Sequence, residues 1–167
     1  MAEQGADEAR ALIEALELTP HPEGGWYREL HRSNVAVRRD GDGGQRCGLT
    51  LITYLLEAGA ISRWHRVRGA DEIWQHLAGA PLQLWRLPPG GGRSEVVTLA
   101  PLQPQPQPGT MVPCQVVAAD WWQAARSLGA WSLVSCCVGP GFDFSDFELL
   151  RQRPGGPVLP GADPALL

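Results

Sequence analysis

Between Asp7 and Glu17 the apolar residues Leu12, Ile13 and Leu16 recur at helical spacing, while Asp7, Glu8, Glu14 and Glu17 fall elsewhere. That pattern predicts an amphipathic helix over 7–17. Asp7 and Glu8 near its start suit the helix dipole. Thr19-Pro20-His21-Pro22-Glu23-Gly24-Gly25 ends it, because proline and glycine do not sustain a helix. The pattern then changes to short strand-like runs, over 26–32, 48–56, 61–67, 72–77, 82–87, 94–99, 113–118, 131–138 and 144–150. Turn chemistry separates most of them, at Asp40–Gly44, Arg68-Gly69, Pro88–Gly92 and Gly139–Gly141. Evenly spaced short strands of this kind predict an all-β sandwich or barrel. The Gln/Pro alternation over 101–108 predicts an extended, exposed loop. Residues 7–150 read as one domain, and 151–167, rich in Pro and Gly, as an extended C-terminal tail without structure of its own.

Composition narrows the function classes. A chain of 167 residues is long enough to bury a substantial core. The net charge of −4, with scattered arginines, argues against nucleic acid or an anionic membrane surface as partner. No window approaches the ~18 continuous apolar residues that span a bilayer. The acidic N-terminus lacks the basic-then-apolar order of a signal peptide, so a cytoplasmic location is expected. All 14 basic residues are arginine, which excludes lysine Schiff-base catalysis and a lysine-dependent phosphate loop. Cys47, Cys114, Cys136 and Cys137 form no C-x-x-C pair and read as buried thiols in a reducing compartment, the adjacent two pointing to opposite strand faces. Six of the seven tryptophans (Trp64, Trp74, Trp85, Trp121, Trp122 and Trp131) fall in or beside strand-like segments, where indoles fill a barrel or line a cavity in it.

Chemistry concentrates between Gly59 and Gly79. The segment has the spacing of a metal-site hairpin, Gly-x5-His-x-His-x4-Glu-x6-Gly, with Val67 at the second histidine position. On antiparallel strands His65 and Val67 share one face, as do Glu72, Trp74 and His76, so His65 and Glu72 converge if that face is interior. Imidazole and carboxylate are two ligands of a first-row metal set. The partner segment 116–123 corresponds to Pro-x-Gly-x-x-His, with Ala118, Asp120 and Gln123 in place of the three named residues. Together these segments resemble the cupins, whose fold is a double-stranded β-helix or jelly-roll barrel.

A narrower resemblance rests on His21–Glu29, Asp71–Trp74, Trp122–Ala125 and Pro140–Glu148, which resemble the Cupin_5 family, a domain of unknown function, over about Leu12 to Leu149. Gln75-His76 departs from the His-Phe pair common there. The resemblance implies a jelly-roll barrel, a homodimer and a shape similar to nucleotide-sugar epimerases.

Three readings of the pocket follow. In the first, which the resemblance to sugar epimerases implies, His65 acts as a base oriented by a carboxylate and opposed by a phenol, Tyr27 or Tyr54. Glu72 is the nearest carboxylate in the pattern, with Asp143 and Asp146 as others. This is isomerase- or epimerase-like acid–base chemistry on a small polar or anionic, sugar-like ligand. In the second, His65, Glu72 and Gln123 hold a divalent metal as in cupin oxygenases, one strong ligand short of the usual three. In the third, the barrel only binds, with Trp64, Trp74 and Trp121 as walls. Glu23, Arg28, Trp74, His76 and Gln123 are the expected ligand-binding residues, Arg28 and Arg66 being able to engage an anionic group.

Overall fold

The computed structural model describes residues 2–102, 104 and 111–167, so most of the Gln/Pro run lies outside the described residues. Helix α1 (Ala2–Ala15) precedes β1 (Thr19–Pro20), β2 (Trp26–Arg32), β3 (Ala36–Arg38), β4 (Gln45–Cys47) and β5 (Thr50–Glu57). The chain continues through β6 (Ile61–Val67), β7 (Asp71–Gly79), β8 (Leu82–Leu87) and β9 (Glu95–Leu99). It ends with β10 (Cys114–Val117), β11 (Trp122–Ser127), β12 (Trp131–Gly139) and β13 (Phe147–Leu149). The expected all-β fold with one N-terminal helix is the fold observed. A six-stranded sheet in the order β1-β2-β5-β12-β7-β10 faces a five-stranded sheet in the order β13-β6-β11-β8-β9, while β3 and β4 pair apart. No helix among the described residues is long and apolar enough to cross a membrane.

Alternation decides which side chains enter the space between the sheets. On β7, Glu72, Trp74 and His76 are buried while Ile73, Gln75 and Leu77 are exposed. Leu56, Leu82, Leu84, Leu99, Val117 and Val134 fill one end of that space with Tyr54 and Trp74. Each such aliphatic side chain contributes about 1.5–3 kcal/mol of burial. Helix α1 closes the outer face of the large sheet by packing Leu12, Ile13 and Leu16 onto Leu18, Leu55 and Leu133. It begins earlier than the charge pattern suggested and stops at Ala15. Glu17 then adopts a left-handed φ of 53° and Leu18 returns its N–H to Ile13 O at 2.9 Å.

Several expectations need correction. Strand β11 was not expected; its first four residues are all buried, because one face meets the interior and the other a second apolar layer, so no period of two is visible. β3 and β4 were also missed, and 144–150 divides into a 3-10 turn, Phe144–Asp146, and β13. The C-terminal segment is not an extended tail. Leu150, Leu159 and Leu166 lie buried against Trp64, Trp85 and Trp122 on the outside of the small sheet. Trp64 Nε1 donates to Asp163 O at 3.0 Å, and Asp163 caps the turn Pro164–Leu166. Low local hydropathy hid a segment whose order comes from three well-placed leucines.

Candidate functional site

The opposite end of the barrel is not filled. A cavity of about 230 Å³ opens there. Glu23, His21, His65 and Glu72 are polar side chains of its deeper part, and Glu17, Arg28, Glu29 and Arg32 are more exposed members of the lining. Tyr27, Ile52, Val67, Val138, Phe142, Phe144 and Phe147 form its apolar walls.

Glu23 reaches the interior because the 21–25 turn presses between β5 and β6. Gly24 and Gly25 have φ of 112° and 70°, and a Cβ on either would lie 2.2 Å from Ile61 O or 2.8 Å from Leu55 O. Gly24 O accepts the Tyr54 hydroxyl at 2.6 Å. Arg63 holds the same turn, its backbone N–H donating to Glu23 O at 2.9 Å. That N–H is free to do so because the β6–β11 register shifts, Gln123 opposing His65 but Ala125 opposing Ser62. The irregularity turns Ser62 and His65 to the same side, although three positions apart, and sends Trp64 outward.

Both of these inward side chains meet Glu23. Ser62 Oγ donates to Oε1 at 2.9 Å, and His65 Nε2 lies 3.1 Å from Oε2. His21 Nδ1 is 3.3 Å from the same Oε2. His65 Nδ1 sits 2.7 Å from Arg63 O, which only accepts, so Nδ1 carries a hydrogen and Nε2 is the nitrogen turned to Glu23. Burial alone would raise the Glu23 carboxyl, but the charges of His65 and His21 and the donors of His21 and Ser62 outweigh it and bring the pKa down to about 2. Glu23 is an anion, with His65 Nε2 and His21 Nδ1 beside its Oε2.

Glu72 is treated in the opposite way. Burial raises its pKa, Glu23 adds to the rise, and only partly do His65 and the Gln123 amide offset it. Gln123 Nε2 donates to Glu72 Oε2 at 2.5 Å, and Gln123 Oε1 accepts Trp74 Nε1 at 2.8 Å. The indole can only donate, which fixes the amide orientation and makes Trp74 and Gln123 supports beneath Glu72. Cys136 also lines the cavity; burial and then the nearby carboxylates raise its pKa well above the ordinary value, keeping it a thiol. All four cysteines are free, and Cys136 and Cys137 do face opposite ways, but the expected burial is met only at Cys136.

The aromatic wall is latched from outside. Asp146 accepts from Arg46 at 2.7 and 2.8 Å and from Arg39 at 3.0 Å, tying the 142–147 segment to the β3–β4 hairpin. Phe144 and Phe147 then stand 6.2 and 5.7 Å from the His21 ring.

Of the expected site residues, His65, Glu72, Glu23 and Arg28 meet at the cavity. Trp74 and Gln123 lie behind it. His76 does not reach it: it sits further along β7 with Nε2 3.0 Å from Ala80 O, because four residues on a strand separate two side chains by more than the cavity's width. Arg28 is already paired with Glu17 at 2.7 Å, and Arg66 with Glu148 at 2.7 Å. The carboxylate that orients His65 is Glu23, not Glu72. Tyr54 is buried with its hydroxyl held by Gly24 O, leaving Tyr27 as the phenol at the cavity. Trp64 faces the C-terminal segment and does not wall the pocket. Pattern reading set His21 in the same block as Glu23 and Arg28 without counting it among the ligand-binding residues, and it missed the three phenylalanines, whose clustering in 142–147 was the available signal.

A divalent cation does not fit these residues. His65 turns both nitrogens to protein acceptors, the Gln123 carbonyl oxygen holds an indole, and Val67 offers only methyl groups. His21, Glu23 and His65 gather but contact one another, and no three His, Cys, Asp or Glu side chains among the described residues are placed to hold a metal ion.

Two facing antiparallel sheets with a cavity at one end, and with His65 and Glu72 on adjoining inward strands, define a barrel of the cupin class. The chain belongs to the Cupin_5 family (Cupin superfamily, DUF985), whose model matches residues 10–150. A hypothetical protein from Leishmania major is 31% identical, with 84% of this chain and 85% of that one covered and a TM-score of 0.74. A protein from Shewanella oneidensis is 34% identical, covering 84% and 83%, with a TM-score of 0.72. A dTDP sugar isomerase from Desulfovibrio desulfuricans shares the fold at 14% identity, covering 75% and 80%, with a TM-score of 0.50. Comparison with curated protein sequences gives no match.

Proposed function

We propose that the protein binds a small polar molecule in the cavity between its sheets and moves a proton on it, in the manner of an isomerase. The observation that carries this reading is the pair of buried carboxylates in one cavity with opposite proton affinities, Glu23 lowered to about 2 and Glu72 raised. Groups pushed apart in this way divide acid–base work between them. Glu72 is the proton carrier: it lines the cavity, and its raised pKa keeps a proton available nearer neutral pH. Glu23 and His65 form a fixed pair that polarises the ligand, and Tyr27 is the phenol within reach. The fold of the sugar isomerase supports this class of chemistry by analogy alone. The oxygenase reading loses support because His65 and Gln123 commit their donor atoms to protein partners.

A thermal-shift screen over sugars, nucleobases and keto acids supplies the ligand for the test. Solvent deuterium then enters that ligand in the unmodified protein, and Glu72→Gln abolishes the exchange while binding persists. Exchange that continues at the original rate in Glu72→Gln overturns the acid–base role and leaves a binding protein.

The homodimer expected from the family belongs to the same reading. Ile73, Leu77 and Val116 are exposed on the outer face of β7 and β10, beside Gln75, Ser135 and Cys137 and without a charge among them. Light scattering gives twice the chain mass at micromolar concentration if that face pairs with itself, and Ile73→Asp halves it; a monomer mass for the unmodified chain rejects the dimer. The free cysteines support a reducing, cytoplasmic compartment.

A further inference from the structure

The charge balance of the cavity names the class of ligand, given that the cavity is a binding site as proposed above. Its lining holds four carboxylates, Glu17, Glu23, Glu29 and Glu72, against two guanidinium groups, Arg28 and Arg32. Both arginines are already paired with carboxylates of the lining. Arg28 Nη1 lies 2.7 Å from Glu17 Oε2, and Arg32 meets Glu29 through Nε at 3.0 Å and Nη2 at 2.7 Å while its Nη1 donates to Phe142 O at 3.0 Å. Deeper in, Glu23 is matched by His65, by His21 and by Ser62. Glu72 is left over. It is 7% exposed, receives one neutral amide donor from Gln123 and pairs directly with no side-chain cation, since His65 turns its two nitrogens to Arg63 O and Glu23. A buried carboxylate without a counter-charge is costly and attracts one.

The walls have the same preference. Tyr27, Phe142, Phe144 and Phe147 present aromatic rings to the cavity, with Phe142 and Phe144 5.0 Å apart edge to face. Ring faces attract cations, and more strongly when water is excluded. Size sets the remaining limit. An apolar cavity of about 150 Å³ accepts benzene, so about 230 Å³ holds a single substituted ring and not a whole nucleotide. A phosphate chain left at the mouth would meet Glu17 and Glu29.

We infer that the cavity selects a single-ring organic cation, its protonated nitrogen directed to Glu72 and its ring held among Tyr27, Phe142, Phe144 and Phe147. Carboxylates and phosphates of similar size are excluded by the same groups.

Benzamidinium, benzamide and benzoate share one shape and differ in charge, so calorimetric titration of the full chain with each reads the preference directly. Benzamidinium is expected to bind about tenfold more tightly than benzamide, with benzoate weaker still, as one desolvated charge contact implies. In Glu72→Gln the benzamidinium advantage falls to within about twofold while benzamide affinity is retained. Phe144→Leu, at a half-exposed ring, weakens benzamidinium by about threefold and serves should Glu72→Gln fail to fold. Benzoate binding as tightly as benzamidinium, or a preference that survives Glu72→Gln, overturns the cation assignment while leaving the cavity a binding site. If none of the three binds, the occupancy of the cavity by ring-sized ligands fails, and this inference with it.

Discussion

The two ends of the barrel interior are built by the same strands and behave differently. At one end Leu56, Leu82, Leu84, Leu99 and Val134 close the space between the sheets. At the other, Glu23, His21, His65 and Glu72 stand around a cavity of about 230 Å³. The hydrogen-bonded pair Trp74–Gln123 lies at the boundary, its indole packed on Tyr54 on one side and its amide under Glu72 on the other. A single strand, β7, contributes to both ends, with Glu72 facing the cavity and Trp74 the core. The difference teaches that stability and chemistry are separable here by depth along the strand, with one polar layer keeping the acids from the leucines.

Truncation breaks the comparison most directly. Leu84→Ala, at a fully buried position, is expected to lower the unfolding free energy by about 2–5 kcal/mol in denaturant titration. Next comes Glu23→Gln. Its folded pKa lies below the ordinary 4.5, so its contribution is present above that pH and is lost as pH falls towards about 2. Unfolding at neutral pH should therefore show a loss on the order of 3 kcal/mol that shrinks on acidification. Trp74→Phe keeps the ring and removes the donor to Gln123, leaving its buried carbonyl oxygen unsatisfied; about 1–2 kcal/mol is expected, together with weaker ligand binding in a thermal-shift assay.

Glu72→Gln has the opposite sign to Glu23→Gln and sharpens the contrast between the acids. A raised folded pKa means that stability is full below pH 4.5 and is lost as pH rises through the folded value. The neutral amide avoids that loss, so the variant should gain stability at pH 8 and nothing at pH 4. Equal effects at both pH values would contradict the opposed titration of the two carboxylates. Smallest is Phe144→Ala: the ring is 53% exposed, so stability should change by less than about 1 kcal/mol while ring-ligand affinity drops.

Much of this was legible in one dimension. Helical spacing of Leu12, Ile13 and Leu16 gave the helix, turn residues gave most strands, and the alternation from Glu72 to His76 placed these side chains on the inward face. The Gly59–Gly79 segment brought His65 and Glu72 to one cavity, as its spacing implied. Other residues were not legible for physical reasons. β11 has no alternation to read because both of its faces are covered. The order of 151–167 depends on Leu159 and Leu166 finding three tryptophans on distant strands. Nothing local announces that Asp146 pairs with Arg39 and Arg46 while Glu23 takes His65.

The chain's own pattern determined the class of fold, the inward face of β7 and the absence of the second histidine at Val67, because strand period and turn preference are local properties of the backbone. It did not show that β6 and β7 lie in opposite sheets and do not pair as a hairpin. Tertiary structure decided which acid serves which base. A register irregularity in β6 brings Ser62 and His65 to one side, and a Gly24-Gly25 turn pressed against β5 and β6 delivers Glu23 between them. Those contacts join residues some forty positions apart, and proton affinity depends on such neighbours and on burial, which no local pattern encodes.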